Sequence, residues 1–511
     1  MHYRNVWSEV PPAVPIPTPS RFGRAIGKYT VMITEACNDC LKCVAVCPEK
    51  VFDVQGGKLL PPNDHLCLGI ECSNKSSRCV RNCPVSAIRV GLNPSARALG
   101  DLRWTPDLLM STWYMAETGR LPKNDIEYRV GDSGGGFDKL RLVFPKRLPK
   151  PDLDKSNIDT SIDLNRREDG RLKITIPIPV YGGGMSFGSI SQITMLSRIR
   201  GFAAWGSYTC TGEGGYPEAL YPFDDHIITQ VATGLFGVRE ETIQRVKIVE
   251  FKYAQGAKPG LGGHLLGDKV TEAVARIRET VPGSSLFSPF PFHSVYSVED
   301  HKKHLDWIKA INSRGLVSVK VSTPSDVDMV AVGSYYAGAH IVHLDGSYGG
   351  TGAAPDVAKK NIAMPIEYAI PKVHGFLKDE GVRDHITLIV SGGLRTAFDI
   401  AKAIALGADG VVTGTSDLVA LECIRCHNCE SGRGCARGIA TTDLELVGLM
   451  ELAWGTQRII NMLHCWREQL QEILYRFGMS SIRELVGRTD LLTHLDYNAD
   501  APDDDIRNPV R

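Results

Sequence analysis

The placement of cysteines constrains this chain more than any other feature. Of 14 cysteines in 511 residues, eight fall between Cys37 and Cys83, four between Cys423 and Cys435, and only Cys210 and Cys465 stand alone. Tight clusters in a long chain without a secretion signal favour metal ligation over disulfides. The first block reads Cys37-x2-Cys40-x2-Cys43-x3-Cys47-Pro48. Three thiolates at this pitch wrap one cubane cluster, and the fourth, before proline, turns away to a second. The next block, Cys67-x4-Cys72-x6-Cys79-x3-Cys83-Pro84, is stretched in its loops but closes the same way. By that crossing one 4Fe–4S cluster takes Cys37, Cys40, Cys43 and Cys83. The other takes Cys67, Cys72, Cys79 and Cys47. Structural zinc also takes Cys-x2-Cys pairs. It needs two pairs, however, and does not explain a triple followed by Cys-Pro.

A chain of 511 residues exceeds what one core usually organises. Lys+Arg and Asp+Glu are both 58, so no bulk field argues for nucleic acid. The N-terminus has no signal-peptide pattern, and no apolar run is long enough to span a bilayer, so a cytoplasmic location without membrane contact is expected. Five parts are expected: an extended, proline-rich arm (1–29), a two-cluster ferredoxin-like α+β domain (30–95), a connecting, surface-wrapping segment (96–172) with a helix at 104–119, a barrel (173–452), and C-terminal helices with a polar, loosely ordered tail (453–511).

From about residue 172 short β-branched runs alternate with helical patterns. The runs are 173–180, 246–253, 286–288, 317–322, 340–345, 387–391 and 410–413. Between them lie helical segments at 269–280, 297–311, 326–337, 365–379 and 396–406. That alternation over roughly 250 residues fits a parallel (β/α)8 TIM barrel, whose active site lies at the C-terminal strand ends. Ser391-Gly392-Gly393 closes one strand and Gly414-Thr415 the next. Glycines there let backbone N–H groups approach an anion, in the loops where such barrels usually bind phosphate.

Lys320 ends an otherwise apolar strand, and alternation points it inward. A lysine inside a barrel needs an anionic partner, such as the N1–C2=O edge of a flavin. The loop at 346–354 (GSYGGTGAA) is suited to lie against a planar ring or a substrate. Glu213 and Lys258 sit on two more glycine-rich loops, at 212–215 and 258–263. Loop charges of this kind are more often solvated than buried. Cys423-x2-Cys426-x2-Cys429-x5-Cys435 follows the last strand and its helix, and could hold a 4Fe–4S cluster, a 3Fe–4S cluster on three of the four, or zinc. Cys210 and Cys465 read as core.

Several long motifs carry a resemblance. MSFGSIS (185–191), TGEGG (211–215), AQGAKPGLGGHLLG (254–267), YSVED (296–300), GGTGAAP (349–355), SGGLRTAFDI (391–400), the third cysteine cluster and GRTDLL (487–492) occur in order. Over about 175–495 the chain resembles the synthase domain of the glutamate synthase family. With its ferredoxin module it resembles the short archaeal-type large subunit.

The resemblance implies a site that reduces the imine of 2-oxoglutarate and ammonia, with FMN as hydride donor and iron–sulfur clusters relaying electrons. It implies that Gln255, Lys258 and Arg278 bind 2-oxoglutarate, with Glu213 in its glycine loop. It assigns FMN to Met185, Ser186, Lys320, Gly349, Gly350, Thr351, Gly392, Gly393, Gly414 and Thr415. Cys423, Cys429 and Cys435 match the family's cluster ligands, and Cys426 is an extra cysteine. The chain departs from the family at 260–267, 289–294 and 323–328, all on substrate-side loops.

No amidotransferase domain with an N-terminal cysteine nucleophile is present, residue 2 being His2, and no strand runs into Gly-x-Gly-x-x-Gly. A separate glutaminase subunit and an electron donor are therefore expected in a hetero-oligomer, the donor being either a NAD(P)H/FAD subunit or ferredoxin. Two alternatives stay open. One is an N-methylglutamate synthase-like enzyme or another FMN/iron–sulfur oxidoreductase subunit. The other is an electron-transfer subunit without synthase turnover.

Overall fold

A computed structural model describes residues 8–21, 26–69, 72, 78–122, 135–150, 152–289, 292, 294–351, 354, 357–359, 361–430 and 433–496. Eight parallel strands close into a barrel in chain order: β1 (Val180–Gly182), β2 (Thr209–Cys210), β3 (Ile227–Ala232), β4 (Ile248–Lys252), β5 (Leu316–Ser322), β6 (Ile341–Asp345), β7 (Thr387–Ser391) and β8 (Gly410–Thr413). β8 returns to β1, with Thr413 opposite Gly182. Strands covered on both faces lose the polar alternation of an exposed sheet, and β6 and β7 are buried along their whole length.

The helices begin where the sequence offers caps. Ser191, Thr271, Ser297 and Thr396 each accept a backbone N–H of the first turn, a contribution of about 1 kcal/mol apiece. Helix Leu452–Phe477 crosses Gln192–Ala204 closely. Gly201 permits this, since a Cβ there would lie 2.6 Å from Cβ of Ile459. Among the C-terminal elements, Ile482–Leu485 is a 3-10 turn, with Ser481 and Glu484 forming a capping box.

Three strand expectations change. The run at 286–288 is not a barrel strand: Leu286–Phe287 pairs antiparallel with His264–Leu265 in a hairpin between β4 and β5. Phe287 is exposed, which a strand buried on both faces does not allow. The run at 173–180 divides, because Pro177 and Pro179 interrupt the ladder. Thr175–Ile176 pairs with Ile162–Asp163, and only Val180 onward enters the barrel. The strands β2 and β3 carry too little pattern to be read, being two residues long in one case and holding Thr229 and Gln230 in the other.

The cysteine-rich module pairs Tyr29–Ile33 with Ile88–Leu92 antiparallel and folds short helices Lys42–Val46 and Arg78–Asn82 against them. Its core is small: Val31, Val51, Phe52 and Ile88 with Cys43 and Cys79. It rests on helix Pro106–Thr118 through Lys28–Asp107 at 3.2 Å, Tyr114 Oη donating to Glu49 at 3.2 Å, and His65–Glu117 at 3.2 Å. The connecting segment is thus more than a surface wrap. Trp104, Leu108, Leu109 and Trp113 pack on Val419, against Cys423 and Ile424.

The arm is extended where described, and Asn461 donates to Ile16 O at 2.8 Å. The polar tail beyond 496, parts of 289–294 and parts of 346–355 lie outside the described residues. No described helix is long and apolar enough to cross a membrane.

Candidate active site

Most of the described loops that follow the barrel's strand ends border one mouth. The inner cavity there is lined by Gly184 and Met185 after β1, Lys320 on β5, Gly349 and Gly350 after β6, Gly392 and Gly393 after β7, and Gly414 and Thr415 after β8. Ser186 and Thr351 line the adjoining larger cavity. Every expected flavin residue therefore borders one connected site.

Gly392 has φ +102°, and a Cβ on it would lie 2.6 Å from the Gly346 carbonyl oxygen. Only glycine fits there, and backbone N–H groups exposed in this way make an anion-binding concavity. Arg198, on helix Gln192–Ala204, fixes the cradle from behind. It pairs with Asp417 at 2.9 Å and donates to Gly183 O at 2.8 Å, both side chains being fully buried. Arg103, from the connecting segment, lies flat on Tyr348, 3.8 Å from the ring centroid, and reaches Gly393 O at 3.4 Å.

Outside this cradle the larger cavity, about 660 Å³, is walled by Glu213, Lys252, Gln255, Lys258, Arg278 and Ser288. Lys258 is 4% exposed and Arg278 5%, so the solvated reading of the Lys258 loop charge is corrected. The glycines beneath are what let these side chains in. A Cβ on Gly214, at φ +141°, would lie 2.6 Å from Cζ of Arg278, and one on Gly263 would lie 2.7 Å from the Glu213 carboxyl carbon.

Arg278 donates to Ser186 Oγ at 2.8 Å and Phe187 O at 3.1 Å, and its Nε has no partner among the described residues. Glu213 accepts from Ser288 Oγ and meets Lys252 at 3.4 Å. Burial, then the like charge of Lys252, pulls the Lys258 ammonium down to about 8 despite Glu213 and Glu430. Burial alone takes Arg278 down to about 10, Glu213 opposing. Two buried cations, Lys258 and Arg278, with half-buried Lys252 around Glu213, form a receptor for a small dianion.

Cys423, Cys426, Cys429 and Cys435 line the same cavity. Lys269 holds their loop, donating to Cys429 O at 2.5 Å and meeting Glu430 at 3.3 Å. Cys426 is exposed, between Arg425 and His427, both with positive φ. In the N-terminal module Cys47 joins Cys67, Cys72 and Cys79 around one small pocket. These are the four thiols that the crossed reading groups. Cys37 and Cys40 lie within electrostatic reach of Cys43, while Cys83 Sγ accepts the Ala87 N–H at 3.2 Å. All 14 cysteines are free thiols, and Cys210 and Cys465 are buried. Among the described residues no three His, Cys, Asp or Glu side chains converge as a single-ion metal site.

The sequence reading missed Lys252, Glu250, His343 and Asp345. Their signal is a charged residue inside an apolar β-branched run, as in IVEFK and IVHLD, since an ionisable group in a strand buried on both faces needs a partner. Nothing local marked Asp101, Arg103 and Trp104, which reach the cavity wall from the connecting segment.

An eight-stranded parallel barrel with a glycine-lined anion cradle, a cationic pocket and a cysteine loop on one mouth defines a cofactor-dependent barrel enzyme. Residues 142–480 match the conserved region in glutamate synthase. The chain is 35% identical to an archaeal-type glutamate synthase (NADPH) of Thermotoga sp. strain RQ2, covering 89% of this chain and 92% of that one. It is 35% identical to the archaeal glutamate synthase (NADPH) of Methanocaldococcus jannaschii, covering 92% and 96%. Against the glutamate synthase large chain of Azospirillum brasilense identity is 36%, over 64% of this chain and 22% of the larger protein. The flavin-binding domain of baker's yeast flavocytochrome b2 is 16% identical, covers 73% of this chain and 82% of that one, and superposes with a TM-score of 0.43, too distant to bear on function. The chain belongs to the glutamate synthase family.

Proposed function

We propose that the chain is the synthase subunit of a glutamate synthase, converting 2-oxoglutarate and ammonia to glutamate. The observation that carries this reading is convergence. A cationic pocket holding Glu213, a glycine cradle with an inward lysine, and a four-cysteine loop share one mouth of the barrel.

The donor set fits each group. Gly392, Gly393, Gly414 and Thr415 would hold the phosphate of FMN through backbone N–H groups, and Met185, Ser186, Gly349, Gly350, Thr351 and Lys320 would hold the rest of it. Bound there, FMN supplies hydride. Cys423, Cys429 and Cys435, with Cys426, would hold the cluster next to the flavin. The eight thiols of the N-terminal module would hold two 4Fe–4S clusters, making an electron path inward.

Lys258 and Arg278, with Gln255, bind the two carboxylates of 2-oxoglutarate in a pocket that excludes water. Glu213 is the acceptor in this set and takes a proton from ammonium. Lys258, with its depressed pKa, gives a proton to the departing carbonyl oxygen, which leaves as water when the imine forms. Ammonia is supplied by a separate glutaminase subunit, and electrons by a NAD(P)H/FAD subunit or ferredoxin, in a hetero-oligomer.

One observation favours a second reading. His264 and Leu265, in the loop at 260–267 that departs from the family pattern, wall the cavity. That fits a different nitrogen donor, such as an alkylamine. Reduced ferredoxin or dithionite with 2-oxoglutarate and ammonia tests the first reading, and its absence of glutamate sinks it. Methylamine in place of ammonia tests the second.

A further inference from the structure

Behind Lys320 the barrel interior holds ionisable groups that the chemistry above does not use. Lys320 Nζ lies 3.4 Å from Asp345 Oδ2, which also accepts the Gly256 N–H at 3.0 Å. The other Asp345 oxygen is 2.6 Å from Ser391 Oγ, and Ser391 Oγ is 2.8 Å from His343 Nε2. His343 Nδ1 lies 2.9 Å from Glu250 Oε2, and Gln230 donates to Glu250 Oε1 at 2.6 Å. Barrel interiors are usually filled by branched apolar side chains. This one strings two acids, an imidazole, a hydroxyl and an ammonium across β4, β5, β6 and β7.

Ser391 Oγ donates its one hydrogen to Asp345 and faces His343 Nε2, while His343 Nδ1 faces Glu250. Carboxylates and nitrogen bases thus alternate, and each buried carboxylate has a partner. A lone buried lysine would shed its proton. Here burial of Lys320 is outweighed by Asp345 and Glu250, which lift it above the ordinary range. Burial of Asp345 is outweighed by Lys320 and His343, which hold it below. The titratable groups facing Lys320 are Asp345 and His343 on β6, Glu250 and Lys252 on β4, and Cys210 on β2.

We propose that Asp345, held by the Ser391 hydroxyl and paired with Lys320, is a positioning residue that keeps Lys320 as a cation facing the flavin cavity and so raises the bound flavin's affinity for electrons. This rests on the reading of the glycine cradle as the FMN site. Reduced flavin carries an extra negative charge, so a fixed cation beside it favours reduction.

The test is the flavin midpoint potential of the intact protein, by dye-coupled titration at about pH 9, below the ordinary lysine pKa. K320M lowers the potential. D345N removes one negative charge at every pH, so toward about pH 6 its potential lies above the native one. From there to about pH 9 this offset falls, because Lys320 without its carboxylate gives up its proton. A D345N offset that stays constant between those pH values overturns the proposal, since it means Lys320 keeps its charge unaided. An unchanged K320M potential overturns the flavin-site reading instead. Should D345N lose flavin, S391A is titrated the same way. A smaller pH-dependent offset is expected, and none overturns the relay.

Discussion

Lys252 and Lys320 stand directly opposite each other on adjacent barrel strands, yet different carboxylates answer them. Lys252 meets Glu213 at 3.4 Å, and Lys320 meets Asp345 at 3.4 Å. The two lysines thus divide one mouth into an outer half, toward Lys258 and Arg278, and an inner half, toward the glycine cradle.

That division predicts separable losses. Lys258→Ala weakens 2-oxoglutarate binding by about 100-fold, roughly 2.7 kcal/mol, and retains FMN. Flavin absorbance per protein and the KM for 2-oxoglutarate check both halves. Loss of FMN in this variant would place Lys258 in the inner half.

The depressed pKa of Lys258 sets a pH limit. Its pKa of about 8 in the empty cavity means a cation below that pH and a neutral amine above it. Affinity for a dianion therefore falls as pH rises through about 8. Bound dicarboxylate raises the same pKa, so kcat/KM declines at lower pH than kcat does. Steady-state profiles in both parameters show the offset, and Lys258→Arg removes it.

Arg198 and Asp417 form the buried pair under the cradle, with Thr413 Oγ adding a bond to Asp417 at 2.7 Å. Asp417→Asn leaves a guanidinium buried without its anion, which costs about 3–5 kcal/mol. Denaturant unfolding should register that loss, and FMN should dissociate from protein that is still folded.

The pocket that gathers Cys47 with Cys67, Cys72 and Cys79 predicts crossed damage. Cys47→Ser perturbs the cluster whose other ligands lie in the second block and spares that of Cys37, Cys40 and Cys43. Iron content and low-temperature EPR of reduced protein distinguish one altered cluster from two.

The N-terminal module has a small core, and the proposed clusters would supply the stability that core lacks. Removing iron with a chelator under denaturant-free conditions should expose 30–95 to protease while the barrel keeps its circular dichroism. Cleavage confined to that stretch is the expected result.

Much of this was legible in sequence because it depends on local spacing. Cysteine pitch, strand–helix alternation and glycines after the last two strands each follow from neighbours a few residues apart. The 286–288 run misled because a short apolar stretch looks alike in a barrel and in a hairpin. Lys258 misled in the other direction, since a lysine in a glycine loop is solvated unless the glycines fold it inward.

The sequence by itself determined the spacing of the cysteine blocks, the barrel and the two glycine loops, because bond geometry and backbone sterics act at short range. Only the tertiary structure decided which charges meet. Asp345, Ser391, His343 and Glu250 come from three strands up to 141 residues apart, and closing the barrel is what brings them to hydrogen-bond distance. Likewise Arg103, from a segment with no pattern of its own, reaches Gly393 only because its helix packs beside the cysteine loop. Coulombic and hydrogen-bond partners are set by distance in space, which local spacing does not encode.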